Sequence, residues 1–186
     1  MAKNVAEINK RLDELRTEGH GPQRHLDPTD THLSARLGDP IIDPRTGTPE
    51  LKGNGHVRAQ NFIDPMSGTT TDAVTGGPHR CGEFSTRFDS AEDYVAAERY
   101  MREHLGSAPV AQGSVPIADV LGPEAHQRMT GYYHDPSAPG EHRPVDFAGG
   151  TIFASYSRDA DGNLRLRTMY VNPVPFNPGQ LDGTDQ

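Results

Sequence analysis

Two histidines near the start of the chain could carry out acid-base chemistry. His20 and His25 flank the turn Gly21-Pro22, where two side chains can converge at little cost in conformational order. An imidazole changes charge near neutral pH, so it can take a proton from a hydroxyl group and return one to a leaving group. A hydrogen bond to a helix end or a loop carbonyl is the structural alternative for His20, and the residues alone leave it open.

Arg36 is a candidate for binding an anionic group. It follows His25 by eleven residues and lies at the margin of the apolar stripe formed by Leu33 and Leu37. A guanidinium at such a margin is expected to point toward the interior or into a cleft, where it binds a carboxylate or a phosphate. The sequence alone leaves both partners open.

Two hydroxyl side chains, those of Thr168 and Tyr170, lie near the end of the chain. Because side chains alternate along a strand, the two are predicted to project from one face, about 7 Å apart, together with Leu164 and Leu166. Met169 is predicted on the opposite face. The hydroxyls could position a phosphate or supply a proton, although such a pair is also common in hairpins that hold no site.

Other chemistries lack the residues that they need. The chain has one cysteine, Cys81, which excludes an intramolecular disulfide framework and a multi-cysteine zinc site. His56 and His79 have no ligand-like spacing, and the sequence has no P-loop, GxGxxG, GxSxG or HExxH motif. We therefore expect no metal and no cofactor. Any catalysis is expected to use histidine, arginine and hydroxyl groups.

Helices are predicted in the first part of the chain. Apolar residues recur at helical spacing over residues 3–17, so an amphipathic helix is predicted there that ends at Gly19. A short second helix is predicted to begin with Asp27 as its N-cap and Pro28 at its first position, and to end near Gly38. These helices would place the two histidines and the arginine.

The later part of the chain is predicted to contain one helix and several strands. Ser90 begins a capping-box-like start to a helix over residues 91–105. Residues 123–143 are expected to be irregular. Strands are predicted at 83–88, at 114–121 as a strand alone or a strand followed by a turn, and at 150–157 and 164–171 as a hairpin. Helices first and an antiparallel sheet late indicate an α+β fold.

A loop-rich excursion separates these two parts. Residues 39–82 have little periodicity and contain two similar turns, 42–48 (IDPRTGT) and 63–69 (IDPMSGT). A loop of this length is commonly functional or inserted. We expect it to add little to the core.

Composition and charge limit the class of protein. The 186 residues fit a single domain, 1–186, with the excursion at 39–82. The net charge of −8 means that any nucleic acid must be held by a local cationic site. No apolar run is long enough to cross a membrane, and we expect no membrane partner and no secretion signal of the chain's own.

Four segments, in this order along the chain, resemble a known toxin family. They are Gly19-His20 with His25-Leu26, residues 33–37 (LSARL), residues 85–88 (STRF) before the 91–105 helix, and Thr168-Met169-Tyr170. The chain resembles the bacterial RNase A-like toxin domains at the C-terminal ends of contact-dependent growth-inhibition proteins and other polymorphic toxins. The resemblance implies an α+β fold of N-terminal helices followed by a twisted antiparallel sheet, similar to RNase A.

The resemblance also implies a function. His25, Arg36, Thr168 and Tyr170 would form the active site of a metal-independent RNA endonuclease, with His20 as a further candidate. Such an enzyme cleaves RNA through the ribose 2′-OH and leaves a 2′,3′-cyclic phosphate. Its partners would be RNA, with tRNA as one candidate, and a cognate immunity protein, and it would not cleave DNA. The toxin would be translocated and act in the cytoplasm of the target cell.

Two further interpretations stay open from the residues alone. An EndoU-like or ADP-ribosyltransferase toxin would also use scattered histidine, arginine, threonine and tyrosine side chains. A non-catalytic binding module is favoured by the net charge of −8. Convergence of the four candidate residues in one cleft would favour the ribonuclease.

Overall fold

A computed structural model of the chain describes residues 2–60, 63–65, 67–72, 76–80, 82–138 and 140–174. Cys81 lies outside the described residues. The described residues divide into two compact units: the first holds those of 2–28, 86–130 and 146–174, and the second holds those of 29–85 and 131–145. The excursion 39–82 lies wholly in the second unit. The prediction of one domain stays a prediction.

The first unit contains most of the regular structure. Its helices are α1 (Ala2–Glu18), α2 (Gly21–His25), α4 (Ala91–Leu105) and α5 (Ile117–Leu121), with a 3₁₀ turn at Ala125–Arg128. Its antiparallel sheet has the order β4-β7-β8, formed by β4 (Gln112–Pro116), β7 (Thr151–Arg158) and β8 (Leu164–Asn172). The chain is thus α+β, as the sequence predicts.

Helix α4 shows why these elements form. The Ser90 hydroxyl accepts a hydrogen bond from the Asp93 N–H at 3.1 Å, which caps the helix as predicted. Every residue of its apolar stripe is buried, as are Ile8, Leu12 and Leu15 of α1, whereas Val5 at the start of the α1 stripe is exposed. The core of the first unit includes Leu12, Leu15, Tyr94, Ala97, Met101, Leu105, Ile152, Leu166, Met169 and Val171.

A charged network crosses this core. Glu98 on α4 is fully buried, and its carboxylate accepts hydrogen bonds from Arg11 of α1 at 3.2 Å and from Arg102 at 2.6 Å. Arg102 also donates to Glu18 at 2.9 Å. The Tyr156 hydroxyl donates to the Glu98 carbonyl at 3.2 Å. Partnered in this way, the buried carboxylate does not carry an uncompensated charge.

The second unit is built mainly from turns. It contains α3 (Asp30–Arg36), the two-residue strands β1 (Asp39–Pro40) and β2 (Ala59–Gln60), and β6 (His142–Pro144). The chain passes between the two units within β3 (Ser85–Phe88) and again within β5 (Met129–His134), and the sheet to which these strands belong has the order β3-β5-β6. In the described part of 39–82, Pro49 and Val57 are the buried apolar residues.

Two predictions about the helices need correction. Helix α3 begins with Thr29 and not Asp27 as its N-cap, because Thr29 and His32 form a reciprocal capping box. The Asp27 carboxylate is instead bound by Arg16 at 2.9 Å. The segment between the two predicted helices, read as a turn, is the helix α2, which Pro22 starts in its first turn.

Residues 123–143 are not irregular throughout. They hold the 3₁₀ turn, β5 and most of β6, and Tyr132 pairs with Pro144 and His134 with His142. The segment has no period-two alternation of apolar residues, and β5 is stabilised by its place in the sheet between β3 and β6. A sequence pattern confined to the segment could not show that.

Candidate functional site

A glycine-rich turn brings helix α2 directly onto strand β8. A Cβ atom on Gly19 would collide with the backbone oxygens of Leu166 and Arg167, and one on Gly21 would collide with the Tyr94 hydroxyl. Only glycine permits such a close approach of the backbone. His20 lies between the two glycines, as the N-cap of α2, and His25 ends the helix. Both histidines are therefore positioned by backbone packing in the first unit.

Strand β8 contains an irregularity that decides which way its side chains face. Ser155 of β7 pairs with Thr168, but the next residue, Tyr156, pairs with Leu166, so Arg167 is an extra residue. Strict alternation along the strand would place Thr168 and Tyr170 on the face of Leu166, as the sequence predicts. That placement is wrong.

The bulge turns Thr168 and Tyr170 away from the core. Leu166, Met169 and Val171 are all fully buried, and they face the core on either side of the bulge. Thr168 and Tyr170 are half-buried and share the opposite face, so the prediction that the two share a face is confirmed. The bulge is thus the device that presents both hydroxyls outside the core.

Side chains from two helices hold the bulge. The Glu18 carboxylate accepts a hydrogen bond from the Leu166 N–H at 2.6 Å. Arg102 binds that carboxylate at 2.9 Å and donates to the Leu164 carbonyl at 2.6 Å. These charge-assisted contacts satisfy backbone groups next to the point where the sheet ladder is interrupted. The last turns of α1 and α4 therefore fix the geometry of the strand that carries the hydroxyls.

His25 and Tyr170 meet on this outward face. Their ring centroids are 5.3 Å apart, and the Tyr170 ring also lies 5.0 Å from that of Phe153 on β7. His25 is buried, and its Nδ1 lies 3.3 Å from the Thr86 carbonyl oxygen. Because a carbonyl only accepts, Nδ1 carries the hydrogen in this contact. In the neutral ring Nε2 is then the atom that can take a proton.

Tyr170 is kept in its protonated form. Burial raises the pKa of its phenol above the usual value of 10.0, although a hydrogen bond with Asn172 acts in the opposite direction. At neutral pH the hydroxyl can therefore donate a hydrogen bond or a proton. Thr168 pairs across the sheet with Ser155, whose hydroxyl lies 3.5 Å from the side-chain oxygen of Gln112 on β4. The face thus combines hydroxyls with two aromatic rings.

The remaining predicted residues lie as follows. His20 is half-buried, and its Nε2 lies 3.5 Å from Nη1 of Arg24. Arg36 is the last residue of α3 in the second unit and is buried, at 3 % exposure. The structure thus brings together His25, Tyr170 and, on the same face, Thr168. Sequence reasoning missed Phe153 and Ser155, because only the cross-strand register shows that they are neighbours of Tyr170 and Thr168.

The second unit has its own polar groups. A small pocket there is lined by Lys52, His56, Glu83 and His134, among others. Burial tends to raise the pKa of Glu83, but a hydrogen bond from Asn54 and the charges of His56 and Lys52 outweigh it and lower that pKa. Three other buried residues, Asp64, Asp72 and His79, bring metal-ligating atoms together elsewhere in this unit.

Comparison with protein-family models, with curated proteins and with solved structures finds no match to this chain. None of the helices among the described residues is long and apolar enough to cross a membrane. The function is therefore inferred from the residues and from the geometry of the first unit.

Proposed function

We propose that this protein is a metal-independent ribonuclease toxin that cleaves RNA through the ribose 2′-OH. The observation that carries the proposal is the meeting of His25 with Tyr170, on the face to which the β8 bulge also turns Thr168. Transesterification of a phosphodiester requires a base for the 2′-OH, a proton donor for the leaving 5′-oxygen and stabilisation of the phosphorane charge. This face offers a proton acceptor, a protonated phenol and a hydroxyl for these tasks. The proposed fold is similar to RNase A.

The reaction assigns a task to each group. His25 Nε2 takes the proton of the 2′-OH, and the 2′-oxygen attacks the neighbouring phosphorus. The bond from phosphorus to the 5′-oxygen breaks, and that oxygen receives a proton from Tyr170 or His20, the two candidate donors. The products are a 2′,3′-cyclic phosphate and a 5′-hydroxyl.

Other groups stabilise the substrate and the transition state. The hydroxyls of Thr168 and Ser155 can donate to phosphate oxygens. Phe153 and Tyr170 offer ring faces on which a base can stack, a contact worth about 1–3 kcal/mol per base. Arg36 is assigned to the phosphate from its residue type and from the resemblance, and Arg36→Ala should raise the barrier to cleavage by about 2–4 kcal/mol if this assignment is right.

The acidic net charge bears on the partners. At −8, the chain repels RNA at long range, so the substrate must be gathered by local cations. A cognate immunity protein that covers the site is expected to do so with carboxylates. The proposal includes delivery as part of a translocated toxin and action in the target-cell cytoplasm.

Mutation of His25 tests the proposal. Purified protein is incubated with total RNA, with and without EDTA, after thermal unfolding has shown that it is folded in both buffers. The His25→Ala substitution should lower the cleavage rate by about 10²–10⁴, the usual contribution of a general acid or base. Tyr170→Phe and Thr168→Val should also lower the rate while preserving the sheet.

A matched control removes a different histidine. His104 is exposed on α4 and stacks on Tyr100, and it is not part of the proposed site. The His104→Ala variant should cleave RNA like the wild type. Full activity of the His25→Ala variant, or equal loss in both variants, would refute the assignment of His25.

A further inference from the structure

The buried residues of the excursion are mostly polar. Over the described part of 39–82 the buried apolar residues are Pro49 and Val57, whereas four polar residues are buried: His56, Asp64, Asp72 and His79. A small segment that buries so little apolar surface needs another source of stability, and in natural proteins that source is commonly a disulfide or a bound metal. With one cysteine in the chain, an intramolecular disulfide is excluded.

Three of these buried residues form a compact set of ligand atoms. Asp64, Asp72 and His79 are 1 %, 3 % and 3 % exposed, and each offers one ligand atom that lies within 4.8 Å of the other two. Two carboxylates held this close and away from water repel each other. A divalent cation between them neutralises both charges at once and takes the imidazole nitrogen as its third ligand.

We propose that Asp64, Asp72 and His79 bind one divalent transition-metal ion of the Zn²⁺ class. The mixed set of two oxygens and one nitrogen is typical of zinc sites, and one or more remaining positions can be filled by water. Imidazole is a poor ligand for Ca²⁺ and Mg²⁺, which prefer oxygen. This site does not depend on the proposed ribonuclease function.

Repeated turns place the two carboxylates. The Asp43, Asp64 and Asp72 carbonyls each accept a hydrogen bond from the N–H of the glycine four residues later, at 2.8, 2.9 and 2.9 Å. Those glycines, Gly47, Gly68 and Gly76, all have positive φ. The third turn, which begins at Asp72, was not recognised from the sequence because TDAVTGG lacks the proline of IDPRTGT and IDPMSGT.

A backbone hydrogen bond brings the histidine to the same place. The His79 N–H donates to the Thr70 carbonyl at 2.7 Å, and the neighbouring residue Pro78 bridges to Thr71. His79 is therefore held beside the segment that joins the second and third turns. Ligands from both turns and from the residue after them would tie the excursion together through one ion. Since all three are buried, a polynucleotide cannot reach the ion, and its role is structural.

The first turn supplies a matched control. Asp43 occupies the same place in its turn as Asp64 and Asp72 do in theirs, but its carboxylate is bound by Arg45 at 3.1 Å. The Asp43→Asn substitution therefore makes the same chemical change in the same kind of turn without touching the proposed site. Asp72→Asn and His79→Gln remove a ligand while keeping most of the side-chain volume.

The experiment measures metal binding directly. The full chain, without an affinity tag and stripped with EDTA, is dialysed against micromolar Zn²⁺, and bound metal is measured by elemental analysis. We expect one Zn²⁺ per wild-type chain and per Asp43→Asn chain, and no binding of Ca²⁺ or Mg²⁺ at the same concentration. Asp72→Asn and His79→Gln should lose affinity by more than the roughly 10- to 100-fold that losing an outer-shell partner costs.

Two further readouts do not depend on the variants or on activity. Zn²⁺ should raise the melting temperature of the wild type, because an ion that binds the folded chain stabilises it. Co²⁺ should give visible absorption bands that Zn²⁺ abolishes. The proposal is overturned if the wild type binds no Zn²⁺, if it prefers Ca²⁺, or if Asp43→Asn reduces binding as much as Asp72→Asn. Since RNA cleavage enters none of these measurements, the ribonuclease proposal stands or falls separately.

Discussion

The two units of this protein are stabilised in different ways. The first unit has an apolar core between helices and a sheet, crossed by the network of Glu98 with two arginines. The described excursion in the second unit buries polar groups in tight turns instead. Periodicity in the sequence reports burial of apolar faces, so it describes the first unit well and says little about the second.

Glycine residues also have different roles in the two units. In the first unit Gly19 and Gly21 allow a helix to lie against a strand, and a methyl group there has no room. In the second unit Gly47, Gly68 and Gly76 have open space around them and are needed for the left-handed conformation of their turns. The same residue type therefore serves close packing in one unit and backbone conformation in the other.

The largest expected effect on stability comes from the buried network of the first unit. Replacing Glu98 with alanine leaves Arg11 and Arg102 without their shared carboxylate and should lower the free energy of unfolding by about 3 kcal/mol. This value is the lower end of the range for breaking a buried ion pair, because both arginines are partly exposed. Urea denaturation measures the change. The Glu14→Ala control removes an exposed partner of Arg11 and should leave stability unchanged.

A smaller effect is expected from glycine substitutions, which sharpen the contrast between the units. Gly19→Ala places a methyl group against the Leu166 and Arg167 carbonyls and should cost about 1–3 kcal/mol, the usual range for overpacking. It should also slow RNA cleavage, since α2 carries His25. Gly53→Ala in the second unit meets open space and should not destabilise the protein. Equal losses in thermal unfolding would contradict this contrast.

The smallest expected effect is a pH dependence in the second unit. Burial, together with the charge of the neighbouring His134, lowers the pKa of His142 below the usual 6.5. As the pH falls below about 6.5, the unfolded chain binds the proton first, so stability decreases, whereas above that pH His142 contributes no change. The fall in melting temperature between neutral and mildly acidic buffer should be smaller in His142→Asn than in the wild type. An identical fall in both would show that other groups control it.

The sequence predicted the elements whose apolar faces are continuous. Helices α1 and α4 and the β7–β8 hairpin lie close to the predicted ranges, and the Ser90 cap is confirmed. The predicted N-cap of α3 was wrong, because Thr29 caps the helix and the Asp27 carboxylate is bound by Arg16 of α1. Helix α2 and strand β5 were missed because tertiary packing, not local periodicity, stabilises them. The prediction for 114–121 was wrong in its second half, because the strand ends at Pro116 and residues 117–121 form helix α5.

The candidate site was predictable by residue but not by geometry. His25 and Tyr170 could be chosen from their types and order, and the rings do meet. The orientation of Tyr170 could not be predicted, because a bulge at Arg167 reverses the alternation of side chains and nothing in the local sequence indicates the bulge. The ligand set in the excursion was missed for a related reason: its members belong to separate turns that only the folded chain brings together.

The chemistry of the RNA ends formed by the wild-type protein tests the central claim most directly. Total RNA is incubated with the protein in EDTA, and the new termini are identified. The account predicts that every new 3′ end carries a 2′,3′-cyclic phosphate or the 3′-phosphate formed by its hydrolysis, that every new 5′ end is a hydroxyl, and that DNA is left intact. New ends carrying a 3′-hydroxyl, a strict requirement for Mg²⁺, or cleavage of DNA would contradict it.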